Sequence, residues 1–302
     1  MLKKLLLTFL GALSLQGSDS LEQLRVNREI YCPEIKQALP TAGKVDGSGW
    51  EQLPWSGNFI VLDSLWVDAP VRTEVALARD SKYLYLGVKM SEPQGGNLAG
   101  RGKFSIWQND VAEFLLWKKD VKKEWIHLAV DCSGKVYFVK ETDIPEMPGR
   151  YHSKELPKEN LRIGVQLKAD GWNLTAAIPL ELVQNFWGDE SRVNFGRQRR
   201  KPYSISTWCK GNGLRDYDRN GIVRLNSQEK TILHEKQYAS ALRKFHEERL
   251  SVVGKFKESV YTHKYAFSAD AVTPNYRPLL QIYNAKNGAG WLDAAGIRKG
   301  SL

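Results

Sequence analysis

The residues best suited to chemistry stand together at positions 107–113, Trp-Gln-Asn-Asp-Val-Ala-Glu. An exposed indole covers the apolar C–H face of a pyranose, while neighbouring amides and carboxylates take its hydroxyls. Trp107, Asn109, Asp110 and Glu113 supply both kinds of group within one short stretch. Glu113 also interrupts an otherwise apolar run at 111–117, where a carboxylate destabilises unless it is exposed, paired or used. Each residue has a plainer reading. Trp107 could be a surface-edge aromatic, Asp110 a turn residue capping local N–H groups, and Glu113 a salt-bridge member.

Other candidate groups are more scattered. Arg197 and Arg199 share one face of a strand and could fork onto hydroxyls or carboxylates, with pairing to neighbouring acids as the alternative. His127 and His152 have no Cys or His at ligand spacing, so no transition-metal site is expected. Asp46, Asp63, Asp68 and Asp80 lie on turns, and calcium would require their oxygens to cluster in space. A glycosidase needs two carboxylates flanking a cleft. Asp110 with Glu113 or Asp131 are the pairs to consider, and nothing in their spacing sets them apart from turn and strand acids. No nucleophile elbow, phosphate loop or metal triad occurs.

The chain that positions these groups has 302 residues, 42% of them apolar and 26% charged, with ten Trp. That length holds one large β domain with an appendage, or two domains. Residues 1–17 read as a secretory signal peptide: Lys3 and Lys4 precede an apolar run at 5–15 too short to span a bilayer. The expected mature protein is exported, secreted or periplasmic, with no membrane span. Losing those two lysines lowers the formal charge from +10 to +8. The positive charges are interleaved with acids, so no nucleic-acid partner is expected. The one dense basic cluster, 197–201, reads as a solvated strand end. Cys32, Cys132 and Cys209 allow at most one internal disulfide, with buried free thiols as the default.

From residue 38 the pattern is short alternating runs punctuated by Gly, Asp and Asn turns. Segments 71–79 and 83–90 form the clearest hairpin signal. Strands are also expected at 58–62, 111–117, 125–131, 135–140, 161–168, 172–178, 192–198 and 222–225. Pro179 opens a helical turn at 180–186, and 142–159, with three prolines, reads as a long loop. This predicts an all-β fold, an antiparallel β-sandwich of immunoglobulin or jelly-roll type, over 38–226. Residues 18–37 read as a polar, partly helical lead-in. Residues 227–265 read as an amphipathic helix through Leu242, Phe245, Val252, Phe256 and Val260, able to pack on the sandwich or on a protein partner. Residues 266–302 form a tail or the start of a further small unit.

The ordered segments VDGSGW, ARDSKYLYLGVKM, WQNDVAEFLLW, VDCSGKV, DGWNLTAAIPLELV, VNFGRQRR, STW and NGIVRL together resemble the family 9 carbohydrate-binding modules. The resemblance spans 45–225 and implies a β-sandwich that binds sugar chains. Such modules are often attached to a secreted glycoside hydrolase and hold structural calcium in some members. It also implies a sugar held between two aromatic rings, with Trp107 as the first and Glu113 as a hydrogen-bonding carboxylate. Leu214 stands where the second ring is expected, and Trp208 and Tyr217 are the nearest aromatics that could replace it. The expected ligand-binding set is Trp107, Glu113, Asn109, Asp110, Trp208 and Arg197. The expected function is binding of a poly- or oligosaccharide in polysaccharide breakdown. The alternatives are a hydrolase-associated or catalytic protein acting on glycosyl bonds, and a structural or adaptor sandwich that binds no sugar.

Overall fold

The computed structural model describes Leu24 and residues 28–62, 68–93, 105–147, 149–200, 203–209, 213–226 and 228–261, and the backbone of four strands between 265 and 299. Residues 1–17, expected from the sequence to be a signal peptide, lie outside the described residues, as does Asp63. The chain divides into two units, residues 25–62 with 68–236, and residues 1–24 and 63–67 with 237–302.

The first unit is a two-sheet β-sandwich. Its strands are β1 (Glu29–Tyr31), β2 (Ile60–Val61), β3 (Thr73–Arg79), β4 (Tyr83–Ser91), β5 (Val111–Trp117), β6 (Glu124–Asp131) and β7 (Val136–Asp143). They continue as β8 (Tyr151–Glu155), β9 (Arg162–Lys168), β10 (Gly171–Pro179), β11 (Arg192–Arg200), β12 (Tyr203–Thr207) and β13 (Gly221–Arg224). The larger sheet runs β1-β13-β11-β5-β6-β7-β8, with β12 on β11 and β2 on β12; the smaller runs β3-β4-β10-β9. All its ladders are antiparallel except β1 with β13, which is parallel.

Period-two alternation divides the larger sheet into two faces. Phe195, Phe114, Leu128 and Phe138 form one cross-strand row. This row faces the smaller sheet, where Leu86, Val88 and Leu174 complete the core. The neighbouring row, Gly196, Glu113, Ala129 and Tyr137, points to the opposite, outer face. Next to it lie Leu115, His127 and Val139, then Trp117, Trp125 and Glu141. A one-residue slip would exchange these faces, so the apolar row fixes where the polar groups point.

Three elements depart from the sequence expectation. β8 lies inside the segment read as a loop; its YHSKE is polar and exposed because it is an edge strand on β7. β1 lies inside the lead-in and pairs with β13, so the sandwich begins before residue 38. β12 lies between β11 and β13, where the sequence pattern predicts no strand. The 180–186 helix is the short α1 (Leu180–Val183), and the long helix α2 runs Gln228–Tyr261. The start of α2 is tied to the sandwich. Glu235 accepts from Arg28 Nε at 3.0 Å and from the Ser56 hydroxyl at 2.7 Å. All three cysteines are buried thiols, and burial pushes the Cys132 thiol up to about 11.

The second unit contains β14 (Tyr265–Ser268), β15 (Leu280–Asn284), β16 (Gly288–Asp293) and β17 (Gly296–Lys299), an antiparallel meander. Among the described residues no helix is long and apolar enough to cross a membrane.

Candidate functional site

Trp107 sits on a single 3-10 turn, Ile106–Gln108, that delivers the chain into β5. The turn is held from three directions. Asp110 accepts two parallel bonds from Arg197, Nε at 3.0 Å and Nη2 at 2.8 Å. Arg197 Nη1 donates to the Ser91 carbonyl at 2.8 Å, which ties the turn to the end of β4. Asn109 Nδ2 donates to Asp131 at 2.7 Å, whose other oxygen accepts the Ser133 and Lys135 N–H groups of the β6–β7 turn. Gln198 Nε2 donates to the Trp107 carbonyl at 2.8 Å. Bidentate guanidinium–carboxylate pairs fix orientation as well as distance. The Trp107 backbone is therefore immobilised while its ring is only half-buried.

The ring packs on the outer face of the larger sheet. Its centroid lies 5.5 Å from Tyr137, edge-on, and 6.0 Å from His127 at 40°. His127 is fully enclosed and flanked by carboxylates from both neighbouring strands. Nε2 lies 3.0 Å from Glu113 Oε2, and Nδ1 lies 3.4 Å from Glu141 Oε1. Tyr137 donates its hydroxyl to the same Glu141 oxygen, and Arg215 Nε donates to the other at 3.2 Å. The Arg215 guanidinium carbon lies over Tyr151, 4.6 Å from the ring centre.

Burial opposes an imidazolium at His127, but the hydrogen bonds and charges of Glu113 and Glu141 outweigh it and raise its pKa. Burial likewise opposes charge on Glu141, and the bonds and charges of His127 and Arg215 hold its carboxyl below the usual range. The cluster is thus two acids and two cations in alternation. Among the described residues Glu113 Oε1 and Trp107 Nε1 accept or donate no hydrogen bond within the chain. A half-buried indole that carries a free donor therefore shares His127 with a carboxylate that keeps a free acceptor.

The six residues expected to bind ligand divide into three groups. Trp107 and Glu113 meet around His127. Asn109, Asp110 and Arg197 hold the turn in place instead; Arg197 is 1% and Asp110 4% exposed, and their polar atoms are engaged with each other. The basic cluster at 197–201 is accordingly no solvated strand end at its first members, since Arg199 is also buried, paired with Glu92. Trp208 is a core residue with 0% exposure, its Nε1 bonded to Ser56 and its ring wedged against Phe195 and Gly221. It offers no surface to a ligand. Leu214, where a second ring was expected, packs under the sheet's outer face with Leu115, Trp117 and Trp125.

The paired-acid alternative also changes. Asp110 and Asp131 are both bound into turns, so neither is a free carboxylate beside Glu113. No group of three or more His, Cys, Asp or Glu that could hold a metal occurs among the described residues. Asp80 in particular caps its own turn and accepts from Tyr85, which does not fit a calcium cage. His127 is considered from the sequence only as a metal ligand, and Tyr137, Glu141 and Arg215 carry no sequence signal of their own. The first three follow from Glu113 by strand register alone. Arg215 lies on an irregular segment and leaves no such trace.

No family model matches the chain, and no curated protein does. Among solved structures it is similar in fold to a family 9 carbohydrate-binding module from Caldicellulosiruptor kristjanssonii in complex with cellotriose. The identity is 14% and the TM-score 0.46, over 66% of this chain and 95% of that one. The same organism's family 9 module in complex with glucose matches at 15% identity and TM-score 0.46, over 67% and 97% of the two chains. A putative carbohydrate-binding protein from Bacteroides uniformis matches at 13% and 0.48, over 66% and 99%.

Proposed function

We propose that this chain binds a poly- or oligosaccharide on the outer face of the larger sheet, with Trp107 as the stacking platform. The observation that carries the reading is the half-buried Trp107 indole, seated 6.0 Å from the His127 ring that holds Glu113 by Oε2 and leaves its Oε1 without a partner among the described residues. An indole face suits the C–H surface of a pyranose, and a carboxylate oxygen held beside it accepts a ring hydroxyl. Binding through one ring is modest, because stacking contributes on the order of 1 kcal/mol per ring face. The chain acts in this reading as an exported binding module in polysaccharide breakdown, a partner to a glycoside hydrolase.

Affinity electrophoresis tests it. In gels containing soluble glucans, xylans or mannans the wild-type protein is retarded by at least one polysaccharide, and Trp107→Ala migrates as in a blank gel. Equal retardation of both proteins would move the site elsewhere, and no retardation in any gel would remove the proposal.

A further inference from the structure

His127 has a set of partners that a core histidine filling space would not need. It lies on the outer, ligand-facing side of the larger sheet, beneath Trp107, and is 0% exposed. Each ring nitrogen faces a carboxylate from a different neighbouring strand, Glu113 on β5 and Glu141 on β7. The remaining polar groups packed around it are the Tyr137 hydroxyl, which is bonded to Glu141, and the Arg215 guanidinium, whose Nη2 lies 3.4 Å from Nδ1. A neutral imidazole has one N–H and serves one carboxylate only; the imidazolium has two and serves both.

We propose that His127 is the positioning residue of the sugar site: as an imidazolium it holds the Glu113 carboxylate with Oε1 turned free beside Trp107, so that saccharide binding weakens as His127 loses its proton. This rests on the sugar-binding reading above and adds to it a titratable control.

The balance of charges gives the mechanism. With His127 protonated, Glu113 and Glu141 face one cation between them and Arg215 outside. Each carboxylate keeps a charge-assisted bond, and Glu113 stays ordered without using its second oxygen. Deprotonation leaves two buried carboxylates flanking a ring with a single N–H. One bond is lost, and the two acids repel across the ring. Glu113, whose only partner among the described residues is His127, is the group released, whereas Glu141 keeps Arg215 and Tyr137. The pKa directions agree, with His127 raised and Glu141 lowered.

The test has two readouts on the whole chain. In the free protein, NMR of nitrogen-labelled histidine follows the His127 ring, which should hold both ring protons at pH 6.5 and titrate above the ordinary histidine value. Binding of cellotriose, xylotriose and mannotriose is then measured by titration calorimetry from pH 5 to 9. Affinity for the bound triose should fall about fivefold or more as His127 deprotonates, on the scale of one charge-assisted bond. In His127→Gln, which cannot titrate, the pH profile should be flat, and in Glu141→Gln the fall should move to lower pH. Binding that is independent of pH in the wild type, or a profile unchanged by His127→Gln, overturns the positioning role and leaves sugar binding standing. A neutral His127 ring at pH 6.5 also overturns it. Absence of binding to any saccharide at any pH, here and in the gels above, overturns the sugar reading and the positioning role with it. A misfolded His127→Gln protein, recognised by its amide spectrum, leaves the Glu141→Gln shift to decide.

Discussion

The indole of Trp107 is only half-buried, so truncating it removes a contact surface without opening the core. Trp208 is the opposite case, sealed between Phe195, Gly221 and the Arg28 guanidinium. Trp107→Ala should therefore change the unfolding free energy by less than about 1 kcal/mol. Trp208→Ala should lower it by roughly 3–5 kcal/mol, the cost of a large core cavity. Urea unfolding of the two variants checks both. The sequence puts both tryptophans in one expected ligand set, Trp208 only because the resemblance asks for a second ring where Leu214 stands. What separates them is tertiary. A Cβ on Gly221 would lie 2.2 Å from the Trp208 ring, so the missing side chain makes the slot that buries it. Glu113 is legible as an acid in an apolar strand; its partner His127 reads along the chain as a lone histidine. Metal-ligand spacing along the chain does not register a residue on the adjacent strand.

At the scale of elements, the site depends on the clamp that seats the 3-10 turn. Arg197 and Arg199 point into the sandwich and meet Asp110 and Glu92. Removing Asp110 takes the bidentate partner from the buried Arg197 and leaves it only Glu92, 3.6 Å away. Asp110→Ala should cost about 3 kcal/mol of stability. It should also loosen the Trp107 turn, seen as loss of amide protection at residues 106–109 in hydrogen exchange. If Asp110→Ala unfolds at the wild-type urea concentration, the clamp contributes nothing. Pairing of these arginines with acids was the alternative weighed from the sequence, and strand alternation placed both on one face. Central strands were the easiest elements to read. Val111–Trp117 matches its expected bounds because an apolar run bounded by turns has few other readings. Edge strands were the hardest. β8 is polar on both faces because one side of its ladder and most of its side chains meet water, so it carries no hydrophobic period. β1, three residues long, pairs only with β13 and is set by that contact rather than by its own pattern.

Across the whole molecule, the charged cluster ties stability to pH with opposite signs on two limbs. His127 has a raised pKa, so its contribution is full below 6.5 and is lost as pH rises through its folded value. Glu141 has a lowered pKa, so its contribution is full above 4.5 and is lost as pH falls through its folded value. The cluster therefore stabilises the sandwich most between pH 4.5 and 6.5. Urea midpoints measured from pH 3 to 9 should fall away on both sides of that window. His127→Gln should flatten the alkaline limb and Glu141→Gln the acid one; unchanged limbs would show that these groups do not govern it. The sandwich class was legible because turn chemistry and two-residue alternation recur along most of the chain. The parallel β1–β13 pairing and the seating of Glu235 against Arg28 were not, since both join residues far apart in sequence. The most direct measurement of the central claim is a glycan array probed with the wild-type protein and Trp107→Ala at pH 6. The account predicts wild-type signal on a defined set of saccharides and its loss in the folded variant. Wild-type signal retained in full by Trp107→Ala would contradict it.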